Sequence, residues 1–274
     1  MIIGTIALLS ILFGGGLIDT FFVDKLDKAV KEYVVDTERQ KDIRADIKST
    51  KKDIKQFNKG RKTQFKALQD MLASRDATKE DFDNFYAELH IGRVEFQEKL
   101  INDRLSLTQK IQEDEWTSIV AFSGDVIDQR EEKIDKKNQK ALKKAEDNPD
   151  KAIKKAAKAE KKQPFFKTRQ AIVDNVTNAE NQTLMLKSLD DMMTASHELD
   201  RQIKSINVKD NDVIVRWDAT KEELQQLAQK MNVLRRSSFK QLVQTHLIFK
   251  ENTDESQWEI ILKALNKDLD MAIR

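Results

Sequence analysis

Apolar residues recur along the first part of this chain at spacings of mostly three, four or seven. Leu26, Val30 and Val34 open the series, and Ile43, Ile47, Ile54 and Phe57 continue it. At that period successive side chains fall on one face of an α-helix, with polar residues on the other. Arg75-Asp76-Ala77-Thr78 interrupts the stripe. Thr78 and Asp81 have the spacing of an N-cap and its third helical residue, so a second helix is predicted from there. Its stripe runs through Phe82, Phe85, Leu89, Phe96, Leu100, Leu107 and Ile111. A further helix, starting near Glu113, holds Trp116, Ile119 and Val120. A helix with one buried stripe needs a second helix to cover it, and a long antiparallel hairpin supplies one.

The pattern returns 142 residues later. Asp76-Ala77-Thr78-Lys79-Glu80 falls on Asp218-Ala219-Thr220-Lys221-Glu222, and with no gap Trp116 falls on Trp258 and Arg93 on Arg235. Gln40 falls on Gln182, and the Thr78–Asp81 spacing recurs as Thr220–Glu223. A five-residue identity with a matched Trp far downstream is the self-similarity of a true repeat. The predicted organisation is therefore residues 1–20 as a membrane anchor or uncleaved signal segment, then hairpin repeats at 21–132 and 163–274. The stretch 133–162 joins the repeats. It carries 12 Lys against 5 acids, with 6 Ala, and reads as a solvated helical linker; the alternative is a basic patch for anionic partners.

Composition narrows the classes further. Among 274 residues there are 7 Gly and 2 Pro, too few for the many turns of a sandwich, a barrel or an α/β fold. With 35% charged and 39% hydrophobic residues, the chain reads as all-α, with long helices and narrow buried stripes of coiled-coil character. A net charge of +2 gives no field for nucleic acid, and the absence of Cys excludes thiol chemistry.

Met1 to Ile18 holds no charged side chain. Such a run sits at the short end of what spans a bilayer, and a cleaved signal peptide is the competing reading. The lysines and arginines that follow would keep the remainder in the cytoplasm by the positive-inside rule, although long domains cross largely regardless of charge.

Thr37-Glu38-Arg39-Gln40 has a Thr-x-x-Gln spacing, and its counterpart Ala179-Glu180-Asn181-Gln182 keeps the Gln. Thr253-Asp254-Glu255-Ser256-Gln257 has one residue more between Thr and Gln. On these motifs and the hairpin layout, the chain resembles the Spy/CpxP group of periplasmic chaperones and the related heavy-metal sensor and resistance proteins. The repeat signature is then Thr37, Gln40, Trp116, Gln182, Thr253, Gln257 and Trp258. The resemblance implies helical hairpins that pair into a cradle and hold unfolded clients without ATP. Two copies in one chain suggest a fused pseudo-dimer.

No Gly-rich phosphate loop is present, no catalytic constellation can be assembled, and no cofactor is expected. The histidines are His90, His197 and His246. Met193 and His197, four apart, are weak candidates for a metal, and His90 and His246 fall on Asn232 and Arg104, which an inherited metal site would not do. Trp116 and Trp258 read as core anchors. The expectation is a non-enzymatic, single-pass inner-membrane protein with its bulk in the periplasm. It would act as an ATP-independent chaperone or envelope-stress adaptor. Its partners would be unfolded or membrane-protein clients and the membrane, with no nucleic acid and a possible homo-oligomer. A coiled-coil scaffold and a metal-responsive sensor are the alternatives.

Overall fold

In a computed structural model of the protein, the described residues are 26–122, 165–205 and 216–273, with the isolated positions 136, 139 and 213. These residues are all-helical, without strands. Helix α1 covers residues 26–33, α2 is Thr37–Ala73, α3 is Lys79–Lys110, and α4 covers residues 113–122. Then come α5 (Phe166–Asn175), α6 (Ala179–Ser205), α7 (Lys221–Glu251) and α8 (Glu255–Ile273).

The helix starts follow local chemistry. The first N–H groups of a helix have no intrahelical acceptor, and a short polar side chain supplies one. Asp36 accepts from the Arg39 N–H at 2.8 Å to open α2. Thr78 with Asp81 and Thr220 with Glu223 form full capping boxes at the starts of α3 and α7, as their spacing predicts.

Helices α2 and α3 run antiparallel. Asp46 pairs with Lys110 at 2.5 Å, Thr50 donates to Asp103 at 3.0 Å and Asp53 pairs with Lys99 at 2.8 Å, so one numbering rises as the other falls. Between them Phe57 and Phe96 stack with centroids 3.9 Å apart. Helices α6 and α7 are also antiparallel: Ser238 donates to the Ala195 carbonyl at 3.1 Å and Thr245 to the Ser188 carbonyl at 3.0 Å. The two pairs meet where α3 packs antiparallel on α7, with Glu98 opposite Lys221 and Gln225, and Phe82 opposite Phe239 and His246.

This crossing divides the core between two ends. One cluster unites Leu26, Val30 and Val34 of α1 with Ile43 and Ile47, Leu107 and Ile111, and Trp116 and Ile119 of α4; Trp217, from the turn before α7, packs against it. The larger cluster joins Ile172 of α5, Met185 and Leu189 of α6, Phe249 of α7 and Trp258 and Ile261 of α8 to Leu68, Leu72 and Phe82 around the α2–α3 turn. Each end therefore combines the open end of one helix pair with the turn of the other.

One polar contact at each end uses carbonyl acceptors at positions 142 apart. Arg75, in the α2–α3 turn, donates through Nη2 to the carbonyls of Lys250, at 3.3 Å, and Thr253. Trp217 donates through Nε1 to the carbonyls of Thr108 at 3.2 Å and Ile111 at 2.9 Å. Arg75 and Trp217 are equivalent positions, and so are Lys250 with Thr108 and Thr253 with Ile111. These acceptors lie in or just beyond the last turns of α7 and α3, where helix carbonyls have no intrahelical donor.

The membrane expectation is corrected. Among the described residues no helix is long and apolar enough to cross a membrane, which conflicts with a single-pass inner-membrane protein. The apolar residues of the described helices lie in stripes with charged residues on every long helix, as in the Lys- and Asp-rich α2. The apolar stretch 1–20 lies outside the described residues, as does 133–162 apart from the exposed helical positions 136 and 139.

Trp217→Phe keeps an aromatic ring but removes the donor to both carbonyls. Urea unfolding should show a loss of about 1–2 kcal/mol, and Arg75→Met a similar loss, because the acceptors they leave are partly buried. Unchanged midpoints in both variants would show that these contacts do not hold the two pairs together.

Candidate functional site

The glutamines of the repeat signature act as clamps. Gln40, on the first turn of α2, donates through Nε2 to the carbonyls of Lys31 at 3.1 Å and Val34 at 3.0 Å. It thereby closes the C-terminal end of α1 and folds α1 back on α2. Gln182 does the same on α6, donating to Val173 and Val176, each at 3.1 Å. Thr37 is exposed, and the cap of its helix is Asp36. Thr253 is buried, with its hydroxyl on the Phe249 carbonyl at 2.7 Å. Gln257 pairs reciprocally with Asp254 and donates to the Asn175 carbonyl at 2.9 Å. Its equivalent is Glu115, which accepts from the Gln112 N–H at 3.0 Å and binds Arg39 through both oxygens, at 2.9 and 2.6 Å.

Both matched tryptophans are core anchors. Trp116 is 2% exposed beneath the Arg104 guanidinium, which lies 5.3 Å from its ring. Trp258 is equally buried and donates to the Ala73 carbonyl at 3.3 Å. The metal candidates are not gathered into a site. His197 is exposed, and the Met193 sulfur lies 3.4 Å from the Arg169 guanidinium, a cation where a metal ion would be repelled. Among the described residues, no three His, Cys, Asp or Glu side chains are grouped to hold a metal.

The surface that offers itself for binding lies between the two ends, where α3 crosses α7. An open groove of about 410 Å³ runs along the crossing, within the usual range for ligand sites. Tyr86, Ile101 and Ala228 give it an apolar floor, and Val94 and Val233 stand exposed on its walls. Ile91, 59% exposed, occupies the position equivalent to Val233, 64% exposed. Apolar residues this exposed on two equivalent helix faces form a small patch that none of the described residues covers.

Polar groups frame the patch and fix its shape. Asn232 and Gln97 exchange hydrogen bonds across the groove, at 2.7 and 3.3 Å, and the Tyr86 hydroxyl donates to the Asn232 carbonyl at 3.4 Å. Glu98 closes one end between Lys221 and Gln225, whose hydrogen bonds hold its carboxyl below the usual range. His90 and Arg236 stand at the other end. Burial, and then the positive charges of Arg93 and Arg236, push the His90 imidazole down from its ordinary value. Arg93, 2% exposed, lies 5.8 Å over the Tyr86 ring, and its burial lowers its own pKa. The arrangement offers apolar contact, carboxamide hydrogen bonds and charge at both ends. That is equipment for binding an extended or helical segment.

Sequence reasoning missed this groove and the Arg75–Trp217 equivalence. Apolar spacing alone does not tell an exposed valine such as Val94 or Val233 from a buried one. Arg and Trp are unlike residues, and only their shared N–H donors at the same offset signal the common role. No family model, curated protein or solved structure matches the chain.

Gln40→Ala and Gln182→Ala should each cost about 1–2 kcal/mol in unfolding free energy. Gln40→Glu should cost more at neutral pH, because a carboxylate cannot donate to two carbonyls. Acid should restore part of that loss by giving the new carboxyl a proton. The same denaturation series at two pH values checks both statements.

Proposed function

We propose that the chain is a fused pseudo-dimer of two copies of one helical hairpin unit, 21–132 and 163–274, that holds unfolded polypeptides without ATP. Support for the duplication comes from the paired clamps, capping boxes and turn contacts at one offset. An interface in which residue i meets j while the copy of i meets the copy of j is the mark of two-fold assembly. The resemblance to the Spy/CpxP group agrees with this reading, since that resemblance implies paired hairpins that bind clients.

The observation that carries the binding function is the framed groove at the α3/α7 crossing, with Val94 and Val233 exposed inside it and Ile91 beside it. Unfolded segments bury apolar side chains there, while the charged ends steer encounter. The metal-sensor alternative has no gathered ligand set among the described residues, and a simple rod has no need of a groove at a helix crossing.

Light scattering of an aggregating client should fall at near-stoichiometric protein with no ATP. Val94→Asp with Val233→Asp should require at least about five times more protein for the same effect. Because both side chains are exposed, the helical signal and melting temperature should stay within the range of surface substitutions. Full suppression by the double variant, or none by the unsubstituted protein, would remove this reading.

A further inference from the structure

His246 lies on α7 where the α2–α3 turn meets α8, and it is 3% exposed. Phe82 of α3 meets its ring edge-on at 4.8 Å, and Trp258 of α8 at 5.2 Å. The backbone of Leu72 and Ala77 lies beside it and favours the protonated ring, but too weakly to offset burial, and neither ring nitrogen has a hydrogen bond of normal geometry. The void bordering the ring is about 10 Å³, no more than one water's worth, and Leu72, Met192, Phe249, Trp258 and Leu262 around it offer no polar side chain to hold one. An imidazolium here would be a buried cation with neither solvent nor a well-placed acceptor, a costly state.

The surrounding charges make it costlier. From α7 comes Lys250, whose Nζ donates to the Ala77 carbonyl at 3.4 Å. From the turn comes Arg75, 6.0 Å from the Trp258 ring and already paired with the exposed Glu255 of α8 at 3.3 Å. Asp81 of α3 faces Lys250, but its carboxylate is committed to the Thr78 cap. Met192 of α6 brings no charge. Burial first, and Lys250 second, hold the imidazole down at about 4.

The equivalent position in the other half is Arg104. Its guanidinium lies over Trp116, is half-buried, and donates to the Arg216 carbonyl at 2.7 Å. One end of the protein thus carries a half-buried cation with a well-placed acceptor, and the other a buried imidazole without a hydrogen bond of normal geometry. We propose that protonation of His246 releases the α2–α3 turn from α7 and α8, baring the apolar surface around Phe82, Phe249 and Trp258, while the Trp217 end stays docked. The inference gives the chaperone reading its regulation, and it rests on that reading only for the use made of the bared surface.

The sign follows from the two states. Released, the imidazole titrates near its ordinary value of about 6.5. Docked, it titrates at about 4. The released state therefore binds more protons, and docking weakens as pH falls from about 6.5 to about 4, by roughly 75-fold at pH 4.5.

Hydrogen exchange of the full chain at pH 7 and 4.5, corrected for intrinsic rates, tests this. Segments 65–77 and 246–258 should lose protection by tens of fold in acid, while 104–116 and 216–224 keep theirs. His246→Phe, with His246→Gln as a second variant against misfolding, should abolish the acid effect. Equal loss at both ends, or an undiminished acid effect in both variants, overturns the proposal. Opening without stronger client suppression at pH 4.5 than in the variants overturns the use of this surface. Absence of suppression by the unsubstituted protein at neutral pH overturns the chaperone reading and leaves the undocking standing.

Discussion

Carbonyls at the end of a helix have no donor of their own, and in this protein each pair of long helices has such carbonyls met by the turn of the other pair. Arg75 reaches Lys250 and Thr253, and Trp217 reaches Thr108 and Ile111. Both donors sit beside buried tryptophans, where a missing hydrogen bond costs more than it would in water. Two such contacts at opposite ends set how α3 crosses α7. They also let the turn of one pair complete the apolar cluster of the other.

Because the contact is reciprocal, neither pair is closed without the other. The cluster around Trp258 takes Leu68, Leu72 and Phe82 from the far pair, and the cluster around Trp116 takes Trp217. Between them lies only the small cluster of Ile101, Ala219 and Leu224, with Tyr86 at the edge of the larger one. That is where the groove forms, where Val94 and Val233 stay exposed, and where two buried arginines, Arg93 and Arg235, occupy equivalent positions. The binding surface we propose is thus a by-product of docking at the ends.

The two ends are alike in geometry and unlike in charge. At 104 and 246 the same site holds arginine or histidine, beside the same tryptophan position. The arginine is half-buried with a carbonyl to donate to, whereas the histidine is buried among apolar side chains. An ionisable group tolerated only when neutral makes one of the docked contacts conditional on pH, and the permanent cation leaves the other unconditional.

Periodicity and caps are local properties, so the sequence alone determined the helical class and the starts of α3 and α7 at Thr78 and Thr220. Gln40 and Gln182 were legible because identical residues do the same job. Arg75 and Trp217 were not, because what they share is an N–H pointed at a carbonyl, which letters do not record. The apolar stretch 1–20 suggested a membrane protein, whereas no described helix can cross a membrane: their apolar residues form stripes with charge alongside. Whether a stripe residue ends in a core or on a surface depends on what packs against it from far along the chain. Only the tertiary structure decided that Val94 and Val233 are exposed and that His246 is buried between Phe82 and Trp258.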